Sequence, residues 1–384
     1  YSVDTTNPTA KISASVSGSS IKVSANGSSD SGSGIATYYY SKDGGKNFTT
    51  STSNSYTFTG LSNATYTLTV KVTDKSGRVS SNVSTTATVN AGTIATTLVT
   101  NLVGKGQVLA DDPGGNARYI GANPNNYVTF NGETVGWRII GALSTPEGKR
   151  VKLIRKNSIG NLSWDYTSTK SYANNWTTSS LQKLLNSGAY YNRTTGQYYN
   201  GRTTATTLNF TGNGLTTTSK NQIDTVTWKL GGTSDWSTAN ASQFYTSERG
   251  TTVYNNNSTS WKGKVGLMYP SDYGYATSGG STTNRTSCLA KSLFNWYDSS
   301  YSDCKNNDWL HFSDEQWTLT STSYNSSSSY SIHPTGMLGN RPYGIVSTIG
   351  VANARAVRPC VYLKSTIKIM SGSGTTSSPY ILGT

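Results

Sequence analysis

Tyr66-Thr67-Leu68-Thr69-Val70-Lys71-Val72-Thr73-Asp74-Lys75-Ser76-Gly77 decides how the first quarter of this chain folds. Tyr66, Leu68, Val70 and Val72 alternate with Thr and Lys, the period of a strand with one face against a core. Asp74-Lys75-Ser76-Gly77 then stops it, because Asp bonds its own backbone and Gly accepts a positive φ. The same alternation recurs on the N-terminal side in Ile21-Val23-Ala25, Tyr38-Tyr40 and Tyr56-Phe58. Asn26-Gly27, Asp30-Ser31-Gly32 and Asp43-Gly44-Gly45 separate these pieces as turns. Short strands at such spacing indicate an antiparallel sandwich over residues 1–92.

Composition changes at the Asn90-Ala91-Gly92 joint. All 9 Trp and all 3 Cys lie beyond residue 136. The whole chain of 384 residues is long enough for two or three domains, and we read it as multidomain, with boundaries at 1–92 and 93–384. Only 13% of residues are charged, against about a quarter in an average globular protein, while 26 Tyr and 39 Gly accompany abundant Ser, Thr and Asn. Surfaces of that kind are hydrated by hydroxyls and amides, and they point to an extracellular location at the cell surface. The net charge of +14 is spread along the chain without a Lys/Arg stripe, so nucleic acid is not expected as a partner. No stretch is apolar enough to span a bilayer or reads as a signal peptide, so any membrane anchor is expected outside this segment.

Beyond residue 92 helix and strand patterns mix without a βαβ rhythm, which reads as α+β. Helices are expected over residues 94–103, from Thr178 to Gly188, from Asn221 to Trp228 and from Leu289 to Tyr297. Strands are expected at Tyr127–Phe130, Trp137–Ile140, Val151–Ile154, Val265–Met268, Trp317–Thr320, Gly344–Ile349 and Cys360–Lys364. Three polar stretches, Asn192–Thr218, Ser271–Ser287 and Ser321–Gly344, read as long loops. Their Tyr, Asn, Ser and Gly content is that of an adaptable binding surface.

Two resemblances follow from particular residues. Leu61, Tyr66, Val70, Asp74 and Gly77 stand at a spacing similar to bacterial immunoglobulin-like repeats, which implies a spacer over the first part. Trp137-Arg138-Ile139-Ile140-Gly141, Val151-Lys152-Leu153-Ile154-Arg155, Glu248-Arg249-Gly250-Thr251, Val265-Gly266-Leu267-Met268-Tyr269-Pro270-Ser271-Asp272 and Val357-Arg358-Pro359-Cys360-Val361-Tyr362-Leu363 form the second. Together they resemble an extracellular domain of Gram-positive surface and pilin-like proteins with a C-type-lectin-like fold. Some relatives of that fold are targets of diversity-generating retroelements. The resemblance implies ligand binding at a surface, through late loops at one end of the domain, without fixing the ligand.

Catalysis finds little support. The two histidines, His311 and His333, have no recognisable triad partners among so many serines. Only four Glu are present (Glu133, Glu147, Glu248 and Glu315), and the adjacent Asp314 and Glu315 would point to opposite faces of a strand. The Glu-Pro-Asn and Gln-Pro-Asp tripeptides of calcium-dependent lectins are absent, so no metal or cofactor is expected. Cys288 and Cys304 flank a helical stretch in an oxidising compartment and are expected to form a disulfide, leaving Cys360 reduced and buried.

The expectation is a non-enzymatic adhesin or receptor-binding segment: an immunoglobulin-like spacer carrying a C-type-lectin-like domain, with a surface glycan or protein as partner. Tyr324, Tyr330, Tyr343 and Arg341 are the expected ligand-binding residues, with Tyr273 and Tyr275 as the next loop. A structural pilin-like or surface-layer subunit is the alternative, and a glycan-active hydrolase the third reading.

Overall fold

The strand that opens the sequence argument runs from Ala64 to Asp74 in the computed structural model, which describes residues 3–235, 237–336, 338–339 and 354–384. It lies between Ile35–Ser41 and Val83–Val89, antiparallel to both, and Thr49–Ser51 extends the sheet to four strands. A three-stranded antiparallel sheet, Ser13–Ser17, Ser20–Ser24 and Ser55–Phe58, accompanies it. Leu68, Val70 and Val72 from one sheet join Ile21, Val23 and Phe58 from the other in a single apolar cluster. The strand ends as its sequence requires. Asp74 Oδ1 accepts from the Ser76 and Arg78 amides, and Gly77 takes φ +87°.

The chain divides into two compact units, Tyr1–Gly92 and Thr93–Thr384. In the second, the long hairpin of Glu133–Thr145 with Gly148–Arg155 is the spine of a ten-stranded sheet. On one side follow Cys360–Tyr362 and Val265–Gly266; on the other follow Tyr127–Phe130, Tyr380–Gly383, Lys368–Ser371 and Thr93–Ile94. The last pairing brings the end of the chain back to the start of this unit. Gly141 is required in the spine, because a Cβ there would stand 2.2 Å from the Ala117 carbonyl oxygen. A five-stranded sheet is built from Asn161–Leu162, Arg355–Ala356, Gln316–Ser321, Ser329–Ile332 and Leu338–Gly339. Short helices complete an α+β unit whose core holds Trp137, Trp164, Trp176, Trp228, Trp296 and Trp317. Among the described residues no helix is long and apolar enough to cross a membrane.

Several local expectations meet the structure directly. The Thr178–Gly188 stretch contains the helix Ser180–Asn186, capped by the Ser179 hydroxyl accepting from the Gln182 amide, with Leu181, Leu184 and Leu185 inward. Others need correction. The helix expected at Asn221–Trp228 stops at Gln222, and Val226–Lys229 is a strand paired with Ser260–Gly263. Its β-branched Val226 and Thr227, with Trp228 alternating inward, favour the pleated state. The stretch Leu289–Tyr297 splits into the end of helix Arg285–Ala290 and a 3₁₀ turn over Leu293–Tyr297. All three expected loops contain ordered elements: Asn192–Thr218 holds the hairpin Thr195–Tyr198/Thr206–Asn209, and Ser271–Ser287 begins inside helix Pro270–Ala276. Ser321–Gly344 contains the buried strand Ser329–Ile332. The strand expected at Gly344–Ile349 lies outside the described residues.

Candidate functional site

Asn240-Ala241-Ser242-Gln243 starts a helix with a reciprocal capping box, and this fixes the direction of Ala241–Glu248. At its far end Tyr245, Glu248 and Arg249 come together. The Arg249 guanidinium lies 3.5 Å from the centre of the Tyr245 ring, and its Nη1 donates to the Tyr245 carbonyl and to Glu248 Oε2. Glu248 is fully buried and accepts from both the amide and the hydroxyl of Ser271. Burial pushes its carboxyl up to about 7, outweighing Arg249 and Ser271, which favour the ionised form.

A second framework lies beside it. Tyr269 precedes helix Pro270–Ala276, and Asp272 Oδ2 accepts the Tyr269 amide at 2.8 Å. The two oxygens of Asp272 also receive Arg118 Nη1 at 2.7 Å and Lys152 Nζ at 2.6 Å. Arg118 extends the chain of charges to Asp112 at 2.7 Å. Burial alone would raise the Asp272 carboxyl, but Lys152 and Arg118 together hold it well below the usual carboxylate range. Lys152 Nζ also faces the rings of Tyr269, Trp228 and Tyr362 at 4.3, 5.2 and 5.5 Å. An ammonium held by a carboxylate and three aromatic rings has little freedom left, so these rings are fixed from behind.

Tyr245, Arg249, Tyr269 and Tyr362 form the wall of a recess of about 420 Å³, completed by Ser144, Thr145, Pro146, Thr227 and Lys229. Among the described residues no carboxylate lines it. The Tyr269 hydroxyl is tied at both ends, donating to the Lys229 carbonyl and accepting from the Lys229 amide. The recess therefore offers rigid aromatic edges, one guanidinium, an ammonium-bearing residue and hydroxyls. These are the groups that hold a polyhydroxylated or anionic ligand. A further recess of about 350 Å³ lies at Tyr166, Lys183, Tyr198 and Tyr199, over the helix Ser180–Asn186.

The residues expected to bind a ligand do not gather at either recess. Tyr324 is 50% exposed on the 321–329 connection. Tyr330 is a correction: it is 0% exposed on a central strand, its hydroxyl donating to the Thr233 carbonyl and its ring packed edge-on against Phe244. Tyr273 is likewise inside, donating to the Gly336 carbonyl with its ring tilted against Trp296, and Tyr275 is buried on the same helix. Their sequence neighbours are polar because those neighbours cap turns and fill strand edges, while the rings themselves supply core volume. Arg341 and Tyr343 lie outside the described residues. Cys288 and Cys304 are joined as a disulfide and Cys360 is a buried free thiol.

The recess residues were missed as a site, although Glu248-Arg249-Gly250-Thr251, Tyr269 and Tyr362 all fall within the words that carried the second resemblance. The unread signal was the capping box at Asn240, which sets Arg249 at a helix end. The histidines are engaged locally, His311 Nε2 with the Pro334 carbonyl and His333 Nδ1 with the Thr335 hydroxyl. Glu133, Glu147 and Glu315 are held by Arg155, Thr227 and Arg355 respectively.

No protein-family model and no curated relative matches the sequence. Among solved structures, the PKD1 domain of Vibrio anguillarum Epp is 21% identical, with a TM-score of 0.20, covering 22% of this chain and 96% of that one. The PKD1 domain of the Vibrio cholerae metalloprotease PrtV is 30% identical, with a TM-score of 0.19, covering 22% of this chain and 98% of that one. A structure of carbohydrate-binding modules from the β-sandwich superfamily is 18% identical, with a TM-score of 0.22, over 41% of this chain and 57% of that one. Likenesses at these scores carry no argument about what this chain does.

Proposed function

We propose that this chain is an extracellular adhesin or receptor-binding segment, in which residues 1–92 act as an immunoglobulin-like spacer and residues 93–384 as a C-type-lectin-like binding domain. The observation that carries the reading is the recess walled by Tyr245, Arg249, Tyr269 and Tyr362, held rigid from behind by Lys152 and Asp272. Preorganised aromatic and cationic groups lower the ordering cost of binding. A surface glycan, or a protein loop presenting carboxylates, is the partner whose chemistry fits. The exposed Tyr324 offers a second contact surface of the kind the sequence suggested.

Two other readings meet less support. A hydrolase needs an acid that reaches its substrate, and the one raised carboxyl beside the recess, Glu248, has both oxygens occupied and no exposure. A pilin-like subunit would use its surface for contacts between copies. The test is a glycan and surface-protein binding screen with the full chain, repeated with Ser144→Trp. Ser144 is exposed at the rim, so the bulky ring fills the recess without entering the core. Loss of a specific ligand in this variant, with an unchanged melt, supports the site. Binding that survives it, or self-assembly in place of any ligand, overturns the reading.

A further inference from the structure

Asp4, Asp30 and Asp74 come from three separate segments of the first unit, yet one carboxylate oxygen from each lies within 4.8 Å of the other two. Each carboxylate is fixed by local donors. Asp4 Oδ1 accepts from the amide and hydroxyl of Thr6, and its Oδ2 from the amide and hydroxyl of Ser33. Asp30 Oδ2 accepts from the amides of Gly32 and Gly34. Asp74 Oδ1 accepts from Ser76 and from the Arg78 amide.

These bonds leave two oxygens over. Asp30 Oδ1 and Asp74 Oδ2 are both buried and receive no hydrogen bond. Asp74 as a whole is only 2% exposed. A buried anionic oxygen without a donor is costly, and native proteins rarely leave one so. Here two occur together, beside a third carboxylate, so repulsion between like charges adds to the cost. The cation at hand does not relieve it: Arg78 Nε donates to the Asp4 backbone carbonyl, and Arg78 forms no ion pair with any of the three among the described residues. The approach of Asp4 is also built in. A Cβ on Gly32 would stand 2.3 Å from the Asp4 carboxyl, so glycine there is what admits the carboxylate.

We propose that Asp4, Asp30 and Asp74 form a calcium site that ties the N-terminal segment, the loop 30–34 and the turn 74–78 together. All three donors are hard oxygen ligands, with neither His nor Cys, which argues against zinc. Calcium accepts six to eight such ligands in irregular arrangements, including carbonyls and water, whereas magnesium demands a near-octahedral set. On Asp30 and Asp74 the oxygen that lacks a donor is free to face an ion, and Asp4 would join through an oxygen that also accepts from Thr6 or Ser33. This gives the first unit a role beyond spacing: its stiffness would follow extracellular calcium.

The experiment uses the full chain, stripped of metal with a chelator and titrated with calcium chloride by calorimetry, with magnesium chloride as the comparison. The expected result is one calcium per chain, with a dissociation constant at or below roughly 10⁻³ M, as extracellular modules show. Asp30→Asn and Asp74→Asn should each weaken it by about tenfold or more, since affinity follows the count of charged ligands. Asp43→Asn, outside the trio, should bind as the parent does. Should Asp74→Asn fail to fold, Asp30→Asn, at a partly exposed position and checked by circular dichroism, decides the matter. Absence of calcium binding in the parent chain overturns the proposal, and so does unchanged affinity in Asp30→Asn.

Discussion

Lys152 and Asp272, 120 residues apart in the chain, meet at 2.6 Å with both side chains fully withdrawn from solvent. Lys152 sits on the spine of the ten-stranded sheet and Asp272 in the first turn of helix Pro270–Ala276, so the pair fixes that helix to the sheet. Removing one partner of such a pair leaves a buried charge and costs about 3–5 kcal/mol. Asp272→Asn is therefore expected to destabilise the second unit by that amount, and Lys152→Met with Asp272→Asn to recover part of it. Tryptophan fluorescence during urea unfolding reads this unit alone, because every Trp lies beyond residue 136. A midpoint unmoved by Asp272→Asn would refute the pair's structural role.

Acid should act through the same carboxylate. Asp272 is held below its ordinary value by Lys152 and Arg118 once the opposing effect of burial is overcome. A depressed acid stabilises the fold above its unfolded pKa of about 3.9, and that contribution is lost as pH falls through the folded value. The second unit is expected to lose stability below about pH 4, with Asp272→Asn losing much less over the same range. Urea midpoints measured at successive pH values test this.

Glu248 has the opposite sign. Its folded carboxyl is raised to about 7 by burial, so the folded state binds the proton more tightly than an unfolded chain with a pKa near 4.3. That contribution is complete below about pH 4.3 and is lost as pH rises toward 7. Glu248→Gln should flatten the decline between those limits. A parent chain whose midpoint holds level from pH 5 to 7 would contradict it.

The cysteines allow a chemical check. Cys288 and Cys304 are both buried and close a loop with a sequence separation of 16. In the chain-entropy account a loop of this size stabilises by about 3 kcal/mol. The Cys288→Ala/Cys304→Ala variant is expected to lose that much. Burial pushes the Cys360 thiol up to about 12, so native protein should resist iodoacetamide and unfolded, unreduced protein should label at one site. Labelling of the native chain would be inconsistent with that arrangement.

Strand and turn chemistry in residues 1–92 could be read directly, because Leu68, Val70 and Val72 express one face in strict alternation and Asp74 to Gly77 ends it locally. Helix Ser180–Asn186 was legible for the same reason, its cap and its leucines being close in sequence. The candidate recess was not. Composition distinguishes a Tyr-rich loop from a Tyr-rich strand poorly, and Tyr330 is placed by partners as remote as Thr233 and Phe244. The recess at Arg249 depends on residues from the spine hairpin, two other strands, the end of helix Ala241–Glu248 and the start of helix Pro270–Ala276, a convergence that no window of sequence displays. Nor did the first unit advertise its three aspartates: Asp30 and Asp74 read singly as turn residues, and Asp4 carried no signal of its own.

Tyr330 and Tyr324 give the sharpest separation of packing from binding. They stand six positions apart in one polar stretch and were alike on sequence, but one is sealed between strands and the other is 50% exposed. Tyr330→Ala removes a buried ring and should cost about 3–5 kcal/mol, as large aromatic truncations do. Tyr330→Phe keeps the ring and loses the bond to the Thr233 carbonyl, at a cost of about 1 kcal/mol. Tyr324→Ala should leave the urea midpoint within about 0.5 kcal/mol of the parent, as exposed substitutions usually do. Any loss of ligand affinity in Tyr324→Ala would then report contact rather than unfolding. The reverse ranking, with Tyr324→Ala the more destabilising, would mean that the 321–329 connection supports the core and that ligand contact must be sought at the Arg249 recess alone.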